Sequence, residues 1–194
     1  MTTKRIVCEK SDGVVIRVPS PQTLRALTGT GGLVRPKQVD EEVAKFVADG
    51  VTPSVANSYI QGITFGGLSE ADALELLFNI RPPEGTIRHF ICEEDNLLSD
   101  RTFRDAWECT ENIVQVNMPK AKVIQMGKIR EVRNKELSAL DITFMRAVED
   151  EDTDAQATIK AKKQELRQIP QTFDLTTDTP EELKDKWPEG LPKE

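Results

Sequence analysis

The sequence predicts an α+β fold: a small N-terminal β-hairpin/sheet unit with short helices, followed by a C-terminal long-helix αα-hairpin. Three observations predict it. Two β-rich runs flank Asp12-Gly13 near the start. Apolar residues recur at helical spacing from Ile129 to Ile169. Between Lys120 and Val148 the only turn-forming residue of the Gly/Pro kind is Gly127, whereas Gly and Pro punctuate everything earlier.

Lys4 to Glu9 and Val14 to Val18 read as a hairpin, with Gly13 supplying the positive φ of a tight turn and Pro19 and Pro21 ending it. Residues 28–36, rich in Gly and closed by Pro36, read as a flexible linker or extended arm. Val39, Val43, Phe46 and Val47 sit at helical spacing before an Asp49-Gly50 stop. A second short helix opens at Ser69, a natural N-cap followed by acids that the helix dipole favours, and breaks at Arg81-Pro82. Gly62, Gly66 and Gly67 between them mark a flexible connection. Thr86 to Ile91 and Ile113 to Val116 are strand candidates, giving one sheet of three or four strands and a mixed unit over residues 1–117, a candidate attachment module.

The αα-hairpin occupies residues 118–170. Ile129, Val132, Leu137, Leu140, Phe144 and Val148 form one apolar stripe, and Ala155, Ile159, Leu166 and Ile169 form the other. Asp152 or Thr153 caps the second helix and Pro170 stops it. Residues 171–194 form an extended tail with a short helix started at Thr179-Pro180. Two narrow stripes bury too little area to stand alone, so the hairpin must pack on a partner chain, a second copy of itself or the N-terminal unit.

Composition narrows the function classes. The chain of 194 residues is 38% hydrophobic and 30% charged, and no apolar run approaches the roughly 20 residues of a membrane span. The basic start is interrupted by Glu9, Lys10 and Asp12, which predicts no secretory leader. A net charge of −7 argues against nucleic acid as a partner. Three unevenly spaced cysteines predict synthesis in a reducing cytoplasm, and leave open a bridge from Cys8, Cys92 or Cys109.

Chemistry-bearing patterns are incomplete. Thr28-Gly-Thr-Gly-Gly32 lacks the third glycine of a dinucleotide loop and the Gly-Lys-Ser/Thr of a phosphate loop. His89 with Cys8, Cys92 and Cys109 has no metal-ligand spacing, and Glu149 to Asp154 lacks the Gly and terminal Glu of a calcium loop. His89 is the single histidine and no Ser lies in a nucleophile elbow. The expectation is no enzyme, no metal and no cofactor.

Asp100-Arg-Thr-Phe-Arg-Asp-Ala-Trp107 differs in kind, because it interleaves Arg101 and Arg104 with acids and aromatics. Arg pairs with carboxylates and stacks on rings, so this block suits a fixed polar joint or an interface anchor. With Asn117-Met-Pro-Lys-Ala121, Ile129-Arg-x-x-Arg-Asn134 and Lys163-Gln-x-Leu-Arg-x-Ile-Pro170, it resembles small proteins encoded among tailed-phage tail and tail-fibre genes. Residues 128–192, ending in Trp187-Pro188, are similar to the phage tail assembly chaperone group. This chain has Asp141-Ile-Thr-Phe144 where that group often has Asp-Trp-Thr-Gln, and its loop between the helices is longer and more acidic.

The resemblance implies a non-enzymatic tail protein binding a tail-fibre or tail-tip/baseplate protein, as assembly chaperone or adaptor, in the host cytoplasm during assembly. The alternatives are a permanent virion component of the baseplate/tail-fibre joint and, more remotely, a small-molecule or cell-wall enzyme. Expected partner-binding residues are Asp100, Arg101, Phe103, Arg104 and Trp107 in the block. Val132, Leu140, Phe144, Ile159 and Leu166 follow on the stripes, and Trp187 and Pro188 at the end.

Overall fold

The computed structural model describes residues 4–193; Met1 to Thr3, where the basic start begins, and Glu194 of the tail lie outside the described residues. The chain divides into two compact units, and the division is not sequential. The first runs to Ser99 and includes Glu108–Gln115; the second takes Asp100–Trp107 and everything from Val116.

The architecture is the α+β arrangement expected, with a small antiparallel sheet and short helices before a long-helix hairpin. Strands β1 (Lys4–Lys10) and β2 (Gly13–Arg17) form the predicted hairpin, with Cys8 opposite Val15 and Lys10 opposite Gly13. The turn residues are Ser11 and Asp12; Gly13 opens β2 with a nearly extended φ of 159°, so it does not supply the tight-turn conformation expected of it. Strand β3 (Thr86–Glu93) pairs antiparallel with the other side of β1, giving the order β2-β1-β3. The single sheet of three or four strands is replaced by this three-stranded sheet and a separate ribbon, β4 (Trp107–Thr110) with β5 (Ile113–Val116). Glu111 and Asn112 turn the ribbon at φ of 50° and 66°, a left-handed pair that Asn tolerates better than most residues.

Four helices complete the first unit: α1 (Pro21–Thr28), α2 (Val39–Ala48), α3 (Pro53–Phe65) and α4 (Glu70–Ile80). Ser69 caps α4 by accepting from Asp72 N, as its sequence predicts. Helix α1 lies where the sequence analysis assigns no element, and α3 replaces most of the expected flexible connection. Both start with Pro in the first turn, where the missing N–H costs nothing. Ile6 and Cys8 pack with Leu27, Ile60, Ala73 and Leu74 in the core of this unit.

The Gly-rich segments are not flexible. Gly32 N and Leu33 N donate to the carbonyls of Thr64 and Ile63, and Gly67 N and Leu68 N donate to those of Gly29 and Leu27. Gly31 and Gly66 both have φ of 72°, and a Cβ on either would overlap the facing backbone. Two chain segments therefore approach at a distance only glycine permits.

The second unit is built on α5 (Met118–Glu149) and α6 (Thr153–Thr172). Asn117 caps α5 and Asp152 caps α6. Pro170 lies inside α6 and does not stop it. Phe173 N still donates to Ile169 O, and half-buried Phe173 packs on the core, which holds the last turn past the missing N–H.

Candidate functional site

The stripes, expected to pack on a partner chain, a second copy or the N-terminal unit, are closed by their own chain except at exposed Val148. Val132 (3% exposed), Leu166 (5%) and Ile159 (9%) are buried, while Leu140 and Phe144 are half-buried. Phe144 lies under Lys160 and Lys163, whose ammonium groups are 5.5 and 5.2 Å from its ring centre. The filler is the segment after α6. Leu175, Leu183 and Leu191 join Phe103, Ala106, Ile129 and Val132 in one core. Leu183 belongs to the short helix α7 (Pro180–Asp185), capped by Thr179.

That tail is pinned rather than extended. Buried Gln125 on α5 donates to Lys186 O at 3.0 Å, and Lys186 Nζ donates to Thr176 O at 2.9 Å. Trp187 is half-buried with Nε1 donating to Leu191 O at 3.1 Å, and Pro188 is buried. The expectation that the hairpin finds its cover on a partner chain, a second copy or the N-terminal unit is thereby corrected, because its own tail supplies that cover. Its physical error was to count two helices alone, when the polar-looking tail carries three leucines spaced for one face of the core.

The Asp100–Trp107 block is a built platform. Asp100 Oδ1 accepts from Thr102 N at 2.8 Å and from its hydroxyl, and Oδ2 accepts from Lys184 Nζ at 2.7 Å. The Lys184 ammonium, then the Thr102 hydroxyl and N–H, hold the Asp100 carboxyl well below the usual carboxylate range. Phe103 is buried, with Lys128 Nζ 5.2 Å from its ring centre. Ala106 O accepts from Asn117 N at 2.8 Å, tying the block to the start of α5.

Trp107 is buried, and its Nε1 has no hydrogen-bond partner among the described residues, so it is no exposed anchor. Arg101 and Arg104 are exposed, and neither carries an ion pair among the described residues. The block thus divides its labour: Asp100, Thr102 and Phe103 fix the backbone, and two guanidinium groups three residues apart face solvent. Chemically, such a pair binds carboxylates at little desolvation cost.

Other expected groups are dispersed. His89 lies in the first unit, stacked on Phe78 at 3.7 Å with Nε2 2.7 Å from Glu75 Oε2. Cys8 is buried and Cys92 and Cys109 are half-buried, all three as free thiols that burial pushes up from their ordinary pKa. Among the described residues no group of three or more His, Cys, Asp or Glu side chains is arranged to hold a metal ion. No helix among them is long and apolar enough to cross a membrane.

Val123, Ile142 and Met145 on α5, to which the sequence analysis assigns no role, are exposed, and Val148, expected on the apolar stripe, is 42% exposed at the end of the helix. No family model matches the chain, and no curated protein or solved structure matches it.

Proposed function

We propose that this chain is a non-enzymatic interaction protein that presents Arg101 and Arg104 on a rigid platform to an acidic patch of a partner. The carrying observation is the combination of a backbone tied down at Thr102 and Ala106 with two exposed guanidinium groups that have no ion-pair partner among the described residues. Preorganisation lowers the ordering cost of binding, and Arg is favoured among residues that dominate interface energies. The resemblance of this block to proteins encoded among tailed-phage tail genes supports a tail-fibre or tail-tip protein as that partner. The role is then assembly chaperone or adaptor.

The test is co-purification with the tail-fibre protein encoded in the same genome. Arg101→Ala/Arg104→Ala should lose the partner while its thermal unfolding matches the parent, because neither side chain is part of the core. Retention of the partner by a folded double variant overturns the reading. Mass spectrometry of purified particles separates a chaperone, which leaves no stoichiometric peptides, from a permanent component, which does.

A further inference from the structure

One side of helix α5 is covered by its own unit, through Leu140 and Ala147 toward its C-terminal end and through Ala121, Gln125 and Ile129, with Gln125 bonded to Lys186 O, toward its N-terminal end. The opposite side is exposed from Val123 to Val148. It carries Val123 at 73% exposure, Met145 at 57% and Val148 at 42%, apolar side chains left open to solvent. Its positions recur in steps of three and four residues, which is the spacing of a helix-to-helix seam.

We propose that this side is closed by the same side of a second copy of the chain, running antiparallel about a two-fold axis between Asn134 and Ser138. The face is self-complementary. With Asn134 opposite Ser138, Arg130 falls opposite Asp141, Gly127 opposite Met145, and Val123 opposite Val148. Each pair occurs twice in an isologous contact. Arg130 has no ion pair among the described residues, and Asp141 keeps 62% of its side chain exposed while holding Lys163. No atom lies within 4 Å of a Cβ built on Gly127, so the notch there is open to receive Met145 of the other copy. Beyond the seam, the acidic turn from Glu149 to Asp154 falls beside Lys120 and Lys122 of the other copy. A parallel arrangement would set acidic turn against acidic turn, which like-charge repulsion disfavours. The opposite ends of one α5 are about 48 Å apart, so its own turn cannot reach its own Lys120.

Sedimentation equilibrium on the full chain tests this. The mass should rise from 21.7 kDa toward the dimer with concentration, and added salt should weaken association. Gly127→Met should weaken it about tenfold or more, although the monomer has room for the side chain. Adding Met145→Ala to that variant should restore association to within about threefold. Copies carrying Val123→Cys should form disulfides with copies carrying Val148→Cys when oxidised glutathione is added. A monomer up to about 1 mM, where association worth roughly 4 kcal/mol would show, overturns the proposal. So does unchanged association of Gly127→Met. These results are independent of the arginine platform, whose variants leave this face intact.

Discussion

Replacing Gly66 by Ala should open the first unit at one place. Gly66 ends α3 with φ 72° and ψ −153°, a region essentially closed to residues with a Cβ, which costs about 1–3 kcal/mol. The new Cβ would also overlap the Gly29 carbonyl and Gly31 N, both backbone atoms of the facing loop. The loop must retreat, stretching the bonds from Gly67 N to Gly29 O and from Gly32 N to Thr64 O, each 3.0 Å long. Losing two such bonds adds about 1 kcal/mol apiece, for a total of roughly 3–5 kcal/mol. That is a large fraction of the stability of an ordinary domain. Gly32→Ala is the control, because φ is 91° there but nothing lies within 4 Å, so the cost falls to about 1–2 kcal/mol. Hydrogen exchange resolved by peptide reads both effects separately for the two units. Faster exchange over residues 24–34 and 60–68 in Gly66→Ala is the expected result. Equal protection in Gly66→Ala and Gly32→Ala would refute the close-approach reasoning.

Three further outcomes follow from the second unit. Leu166→Ala should destabilise it by about 2–5 kcal/mol in urea unfolding followed by the fluorescence of Trp107 and Trp187, since the side chain is 5% exposed and lies in the closed core. Gly127→Ala should stabilise α5 by roughly 0.5–1 kcal/mol, because a mid-helix glycine with open space around it loses only its excess freedom. Asp100 has its pKa lowered, so its stabilisation is present above the unfolded carboxylate value of about 4 and disappears as pH falls through the folded value. Replacing Lys184 by Met should therefore flatten the acid side of the melting-temperature profile, with little change in its slope above neutral pH.

What the sequence made legible follows from which signals are local. Helix caps at Ser69, Asn117, Asp152 and Thr179 are short-range hydrogen bonds, and the fold uses Ser69 and Asp152 as their patterns predict. The long stripe of α5 was readable because its period persists over many turns. Helices α1 and α3 were hidden by Pro and Gly, which read as punctuation although Pro21 and Pro53 start helices and Gly62 sits inside one. The Gly31 and Gly66 crossing joins residues distant in sequence, so glycine that looks like freedom there means contact. At the candidate site, the block of residues 100–107 was recognisable as a unit. Only the structure sorts its residues into tethers, buried supports and exposed arginines. The closure of the hairpin by Leu175, Leu183 and Leu191 was not legible, because each leucine is isolated among charges and prolines.

Arginine-selective labelling by phenylglyoxal, read by mass spectrometry with and without the tail-fibre protein, tests the functional account most directly. Arg101 and Arg104 should react in the free chain and be shielded in the complex, while exposed Arg146 at the far end of α5 keeps reacting in both. Equal labelling of Arg101 and Arg104 in the two samples, with the complex demonstrably formed, would contradict the account.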